Sequence, residues 1–180
     1  MQNKNWKGYR RAAWGGQALL AIAVLLAMTQ GKWQNALILF LFLAASFIFI
    51  VQDDKLPTLF DFLFVLAALL NAGGWVWGLF YLAGPYDEIT HLFTTFALTL
   101  ALGFLVYQVM LTTFRQHQWL YLLTITSFGI AMGALWEIAE WSAEKILATE
   151  VIGSLDDTIT DLIMDTLGAA LAAIISLWAL

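Results

Sequence analysis

A chain of 180 residues that is 62% hydrophobic and 12% charged, with nine tryptophans, lies far outside the composition of a soluble globular domain. Its mean hydropathy of +0.81 marks an integral membrane protein, and at about 20 residues per span the length holds six spans and no separate soluble domain. A net charge of −5 excludes the basic surface that nucleic acid requires, and the absence of cysteine excludes disulfides and thiolate sites, so any metal must take oxygen or imidazole ligands.

The amino-terminal cluster Lys4, Lys7, Arg10 and Arg11 has the look of a signal n-region, but no small-residue cleavage site follows, which predicts a retained first span over about 11–28. The second span is predicted over about 35–51 and the third over about 58–82. The third opens Pro57-Thr58 with Asp61 at capping-box spacing, reading as a helix start, and carries an isolated Asn71 beside Gly73 and Gly74. These three spans are otherwise bland.

The fourth span, about 85–110, opens Gly84-Pro85-Tyr86-Asp87-Glu88, with proline in the first turn, where its missing N–H does no harm. Asp87, His91, Thr95 and Thr99 recur every fourth residue and form one polar stripe. Asp87 and Glu88 also complement the helix dipole, so a purely structural role stands beside the functional one. His91 can have its tautomer fixed by one carboxylate and present the other ring nitrogen to a ligand.

The fifth span, about 118–141, carries Gly129 and Gly133 at GxxxG spacing, and Glu137 continues that face by one turn. Glu137 and Glu140 can point at one centre, bracketed by Trp136 and Trp141; Glu144 beside Lys145 reads as solvated. The sixth span, about 155–180, begins Ser154-Leu155-Asp156-Asp157, a capping box with Asp in place of Glu. Asp157, Asp161 and Asp165 then descend one face over roughly 12 Å, which capping does not explain. Gly168 and Ala172 extend that face, predicting close antiparallel packing of spans five and six, glycines facing below and acids above.

Short connections make neighbouring helices antiparallel, so the expected architecture is all-α, a single six-span transmembrane domain over 1–180. With the amino terminus cytoplasmic, that side holds Lys4, Lys7, Arg10, Arg11, Lys55 and Arg115, against Lys32 and Lys145 opposite, which predicts both termini inside, in a bacterial inner membrane. The start of span four, the end of span five and the start of span six then share the extracytoplasmic level, ringed by Trp75, Trp77, Tyr81, Tyr86, Trp136 and Trp141 as an aromatic belt.

Ten of the thirteen acidic residues follow Tyr86, with almost no basic residue among them. A carboxylate in hydrocarbon costs at least about 2.5 kcal/mol, so these groups must be protonated, metal-bound or paired with a cation. The expected metal ligands are Asp87, His91, Glu137, Glu140, Asp161 and Asp165, supported by Glu88, Asp157, Thr95, Trp136 and Trp141. Such a site suits Mg²⁺, Mn²⁺ or Ca²⁺ better than Zn²⁺ or Fe²⁺. Only one Glu-x-x-His motif, Glu88 to His91, is present, which speaks against oxidative di-iron chemistry. No buried lysine or arginine clamps a phosphate, and no nucleophile elbow is found.

Tyr86-Asp87-x-x-x-His91, Trp136-Glu137-x-x-Glu140-Trp141 and Asp157-x-x-x-Asp161-x-x-x-Asp165-x-x-Gly168-Ala169, in that order, resemble the YjdF-type predicted inner-membrane proteins and, more distantly, VanZ-like proteins. The likeness covers roughly 86–172. The VanZ-like pattern has Lys after the first Asp, Gln closing the second motif and Asn for the last Asp; Glu88, Glu140 and Asp165 stand there instead. Each departure makes the site more acidic and moves it away from a glycopeptide-resistance role. The resemblance implies a multi-span fold with a shared polar site and names no reaction.

The sequence therefore predicts a divalent cation bound at the extracytoplasmic mouth of a helical bundle. Two alternatives stand beside it: a metal-dependent enzyme acting on a lipid or lipid-linked head group, and a proton- or cation-coupled carrier. Membrane lipid is the expected partner, nucleic acid is not, and a homo-oligomer is compatible with the pattern.

Overall fold

The computed structural model describes residues 7–51, 56–82, 84–147 and 153–179. These residues are all-helical, with six helices long and apolar enough to cross a membrane: α1 (Lys7–Thr29), α2 (Trp33–Val51), α3 (Thr58–Trp77), α4 (Tyr86–Gln116), α5 (Gln118–Leu147) and α6 (Leu155–Ala179). Lys4 and Lys55, used in the charge count, lie outside the described residues, as does Leu180 at the end of the last predicted span.

Three helix ends differ from expectation. The third predicted span ran to Leu82, but α3 stops at Trp77, where Gly78 turns left-handed at φ 68°, and a single 3₁₀ turn, Leu79–Tyr81, follows. Glycine at that position ends a helix without the Cβ penalty other residues meet. α4 and α5 run on past residues 110 and 141, so only His117 separates the two helices where a seven-residue connection was predicted. Helical bonding even carries through it: His117 N–H donates to the Thr113 carbonyl (3.1 Å), and the His117 carbonyl accepts from Tyr121 (3.2 Å). Falling hydrophobicity marks where a helix leaves the bilayer, whereas ending it takes a glycine, a proline or a cap.

The chain divides into two compact units, Met1–Thr90 and His91–Leu180. In the first, α1, α2 and α3 pack pairwise around Leu20, Leu39, Ala68 and Ala72. The Gln17 amide donates to the Ser46 hydroxyl (2.7 Å), which donates to the Phe42 carbonyl (2.7 Å). Asp61, expected to be no more than a first-turn acid, is buried at 3% exposure. The Tyr86 hydroxyl donates to the Leu70 carbonyl (2.8 Å), tying the start of α4 to α3. Gly73 leaves the room, since a Cβ there would stand 2.6 Å from that hydroxyl.

In the second unit each helix buries a ladder of every fourth residue: His91, Thr95, Thr99, Gly103 and Tyr107 on α4; Tyr121, Ile125, Gly129, Gly133 and Glu137 on α5; Asp161, Asp165, Ala169 and Ala173 on α6. Gly133 lies against Asp165 and Gly129 against Ala169, so α5 and α6 run antiparallel at close range, as the small-residue pattern predicted. Gly168 does something else. It was expected to pack on span five, yet it meets the backbone of α4, where a Cβ would overlap the Leu92 carbonyl oxygen and come within 3.1 Å of the Phe96 nitrogen. Ile130, Leu135, Ile138, Ile163, Leu167 and Leu171 point outward, so this unit is apolar outside and polar within. Lipid solvates that exterior well and offers nothing to the polar interior.

α6 starts as its sequence announced. The Asp157 N–H donates to the Ser154 hydroxyl (3.2 Å), fixing Ser154 as the cap. Ser154→Ala is expected to lower stability by about 1 kcal/mol, measured by thermal unfolding in detergent; an unchanged midpoint would deny the cap any role.

Candidate metal centre

At one end of the second unit the three ladders bring their polar residues together. His91 is 7% exposed, Thr95 5%, Glu137 6%, Asp161 4% and Asp165 2%. The His91 Nδ1 lies 3.5 Å from both Asp165 oxygens and 3.9 Å from Glu137 Oε1, while its Nε2 lies 4.0 Å from Asp161 Oδ2. One ring nitrogen thus faces two carboxylates from different helices, and the other faces a third. The Thr95 hydroxyl donates to Asp165 Oδ1 at 2.5 Å.

The local sequence explains how each side chain arrives. Gly133, opposite Asp165, has no Cβ, and one there would stand 2.6 Å from the Asp165 carboxyl carbon. The glycine therefore makes the space the carboxylate fills. Glu137 sits one turn further along the same α5 ladder, and Asp161 one turn before Asp165 on α6.

The charges do not balance within this group. Even a protonated His91 offsets only one of three carboxylates, and two like charges about 4 Å apart repel by about 4 kcal/mol at an effective dielectric of 20. A bound cation would offset the excess. One atom from each of His91, Glu137 and Asp165 lies within 4.8 Å of the other two. Ligand atoms on one divalent cation stand no further apart than twice the metal–oxygen distance, about 4.2 Å for Mg²⁺ and about 4.8 Å for Ca²⁺, and the three atoms lie within that bound for Ca²⁺. The donor set, two hard carboxylates and one imidazole, is one that could hold a hard divalent ion, and Asp161 Oδ2 lies 4.0 Å from the far ring nitrogen.

Glu140, Glu88, Asp157 and Trp141, also expected at the site, are placed differently, whereas Asp87 lies one helical turn before His91 on α4. Glu140 accepts a hydrogen bond from the Trp136 indole (2.8 Å) one turn before it, and it joins no group of convergent metal-ligand atoms among the described residues. Asp87 and Glu88 stand half-buried in the first turn of α4, in the first unit. Asp157 is exposed beside its cap, and Trp141 is 52% exposed with the Lys145 ammonium 5.9 Å above its ring. Glu144 lies 3.5 Å from Lys145 at the surface.

One buried polar pair went unforeseen. At the other end of the ladders, Tyr121 and Ser176 share a hydrogen bond of 2.6 Å, Ser176 also donates to the Ala173 carbonyl (2.9 Å), and Tyr107 packs edge-on against Tyr121. Gly103 makes room for the pair. The signal was present in the sequence: counting back in fours from Glu137 through Gly133, Gly129 and Ile125 reaches Tyr121.

The fold and this cluster define a polytopic membrane protein that buries a histidine–carboxylate group inside a three-helix unit. Residues 11–180 match the family described as Predicted membrane protein (DUF2238), and the chain belongs to it. It is also 35% identical over 86 residues to an uncharacterized protein of Thermotoga maritima. That match covers 46% of this chain and 43% of the relative, so the chain spans less than half of that protein's length. No solved structure matches.

Proposed function

We propose that the second unit binds one divalent cation between His91, Glu137 and Asp165, with Asp161 orienting the imidazole and Thr95 holding Asp165. The observation that carries this reading is the buried imidazole flanked by carboxylates on both nitrogens, with no lysine or arginine in contact with it among the described residues. Carboxylate-rich coordination favours Mg²⁺, Mn²⁺ or Ca²⁺. The excess of lysine and arginine on one side of the predicted topology argues for an extracytoplasmic site in a bacterial inner membrane. The motif order shared with YjdF-type proteins fits the family to which the chain belongs; a VanZ-like kinship rests on the same motifs alone.

Metal analysis of purified protein tests this. About one equivalent of divalent metal is expected after metal-replete purification, loss of it in Glu137→Ala, and retention in Glu144→Ala, whose carboxylate lies by Lys145 at the surface. A metal-free wild type under replete conditions removes the proposal.

A coupled carrier is a second reading, supported by one structural feature. It needs polar groups beyond Asp165, and Thr99, at 1% exposure and without a hydrogen-bond partner for its hydroxyl among the described residues, followed by Tyr121 and Ser176, supplies them along the buried ladders. In proteoliposomes this reading expects cation-dependent proton movement that Ser176→Ala with Tyr121→Phe abolishes; movement unaffected by the pair counts against it.

A further inference from the structure

The first unit contains a cavity of about 440 Å³ between α1, α2 and α3, within the roughly 300–1,000 Å³ of sites that take small ligands. Its lining residues include none of His91, Glu137, Asp161 and Asp165. Its back wall includes Leu20 and Leu39, each 1% exposed, while Leu19, Ile22 and Leu26 at its edge are more than half exposed. The cavity therefore opens sideways onto the apolar surface of the helices. Along α1 it extends from Leu19 to Gln30, about 16 Å at 1.5 Å per residue, or about half the hydrocarbon core.

One end is polar. There the turn between α1 and α2 supplies Gln30 and Lys32 and the first turn of α2 supplies Asn35, with Trp77 nearby as an aromatic of the type that sits at head-group level. Gly31 holds this turn at φ 71°, and the Lys32 N–H donates to the Ala27 carbonyl (2.9 Å), so the lysine is carried on hydrogen-bonded backbone. Among the described residues, Lys32 is the only ionisable side chain lining the cavity. An apolar slot open toward lipid, closed at one end by a cation and two neutral amides, is complementary to a chain with a negative head. By contrast, the outward groove lined by Trp14, Phe40 and Phe47 has no charged residue to select one.

We infer that this cavity holds an acyl chain of an anionic membrane phospholipid, with Lys32 on the phosphate-bearing head group and Gln30 and Asn35 as its neutral hydrogen-bond partners. A lipid of zero net charge would leave the lysine's charge unbalanced, and a free phosphate would leave the apolar slot empty. Native mass spectrometry of the full chain in detergent, titrated with phosphatidylglycerol or with phosphatidylcholine of the same chains, tests the inference.

Phosphatidylglycerol should be retained preferentially. Lys32→Gln should weaken its binding about fivefold, the contribution of one basic residue beside anionic lipid, without altering phosphatidylcholine, and Lys32→Arg should restore the preference. Ala23→Phe, which fills the slot, should remove the retained lipid. Because Lys32 is exposed, its substitution leaves packing intact and decides the matter even if the phenylalanine variant does not fold. Equal retention of the two lipids, a preference unchanged in Lys32→Gln, or displacement by inorganic phosphate alone would each overturn it.

Discussion

Asp165→Asn is expected to change sign with the cation present. With divalent cation at about a hundred times its Kd, the wild type gains about 2.7 kcal/mol, because a ligand that binds only the folded state adds RT ln(1 + [L]/Kd). Should the substitution weaken affinity about a hundredfold, the same concentration equals the variant's Kd and gives it about 0.4 kcal/mol. Chelation reverses the order. Without cation the wild type must hold Asp165 beside Glu137 and His91 at 2% exposure, and asparagine keeps the shape and an acceptor for Thr95 while removing one charge. The chelated variant should therefore equal or exceed the wild type, by up to about 2.5 kcal/mol, the insertion cost of an ionised aspartate. Thermal unfolding in detergent with calcium, with manganese and with chelator reads both halves. A variant weakened equally in all three conditions means that Asp165 is a packing residue and that the cation proposal is wrong.

Gly168→Leu is expected to cost the second unit about 3 kcal/mol or more and to prevent α6 from seating on α4. The Cβ alone meets the Leu92 carbonyl oxygen and the Phe96 nitrogen, both backbone atoms that cannot rotate away, so one helix has to move. Movement there shifts the turn that carries Asp165 relative to the turn that carries His91 and Thr95. Cation binding should fail together with stability. Gly15→Ala is the control: nothing lies within 4 Å of its added Cβ, and a glycine-to-alanine change inside a helix should gain about 0.5 to 1 kcal/mol. If Gly168→Leu unfolds like the wild type, the close approach of α4 and α6 is not what holds this unit together.

How far the site was legible follows from helix geometry. The four-residue recurrence of His91 and Thr95, and of Asp161 and Asp165, places each pair on one face, and the structure buries all four. Glu137 and Glu140 show where this reasoning stops. Three residues apart, they differ by about 60° around the helix, too little for sequence to decide which one faces inward. The structure turns Glu137 to His91 and gives Glu140 to the Trp136 indole, a partner one turn away on its own helix.

By itself the sequence determined the membrane class, the six helices and the confinement of nearly all acids to the last three, because length, hydropathy and periodicity are local properties of the chain. It also determined the serine cap at Ser154 as a physical option, since a cap acts within one helical turn. Only the tertiary structure decided that Gly168 belongs to α4, that Tyr121 meets Ser176, and that Asp161 and Glu137 reach opposite nitrogens of one imidazole. Those pairings depend on the height and rotation of each helix against the next. Contacts between small residues dozens of positions apart set both, and a helix's own pattern reports its faces without naming what each face will touch.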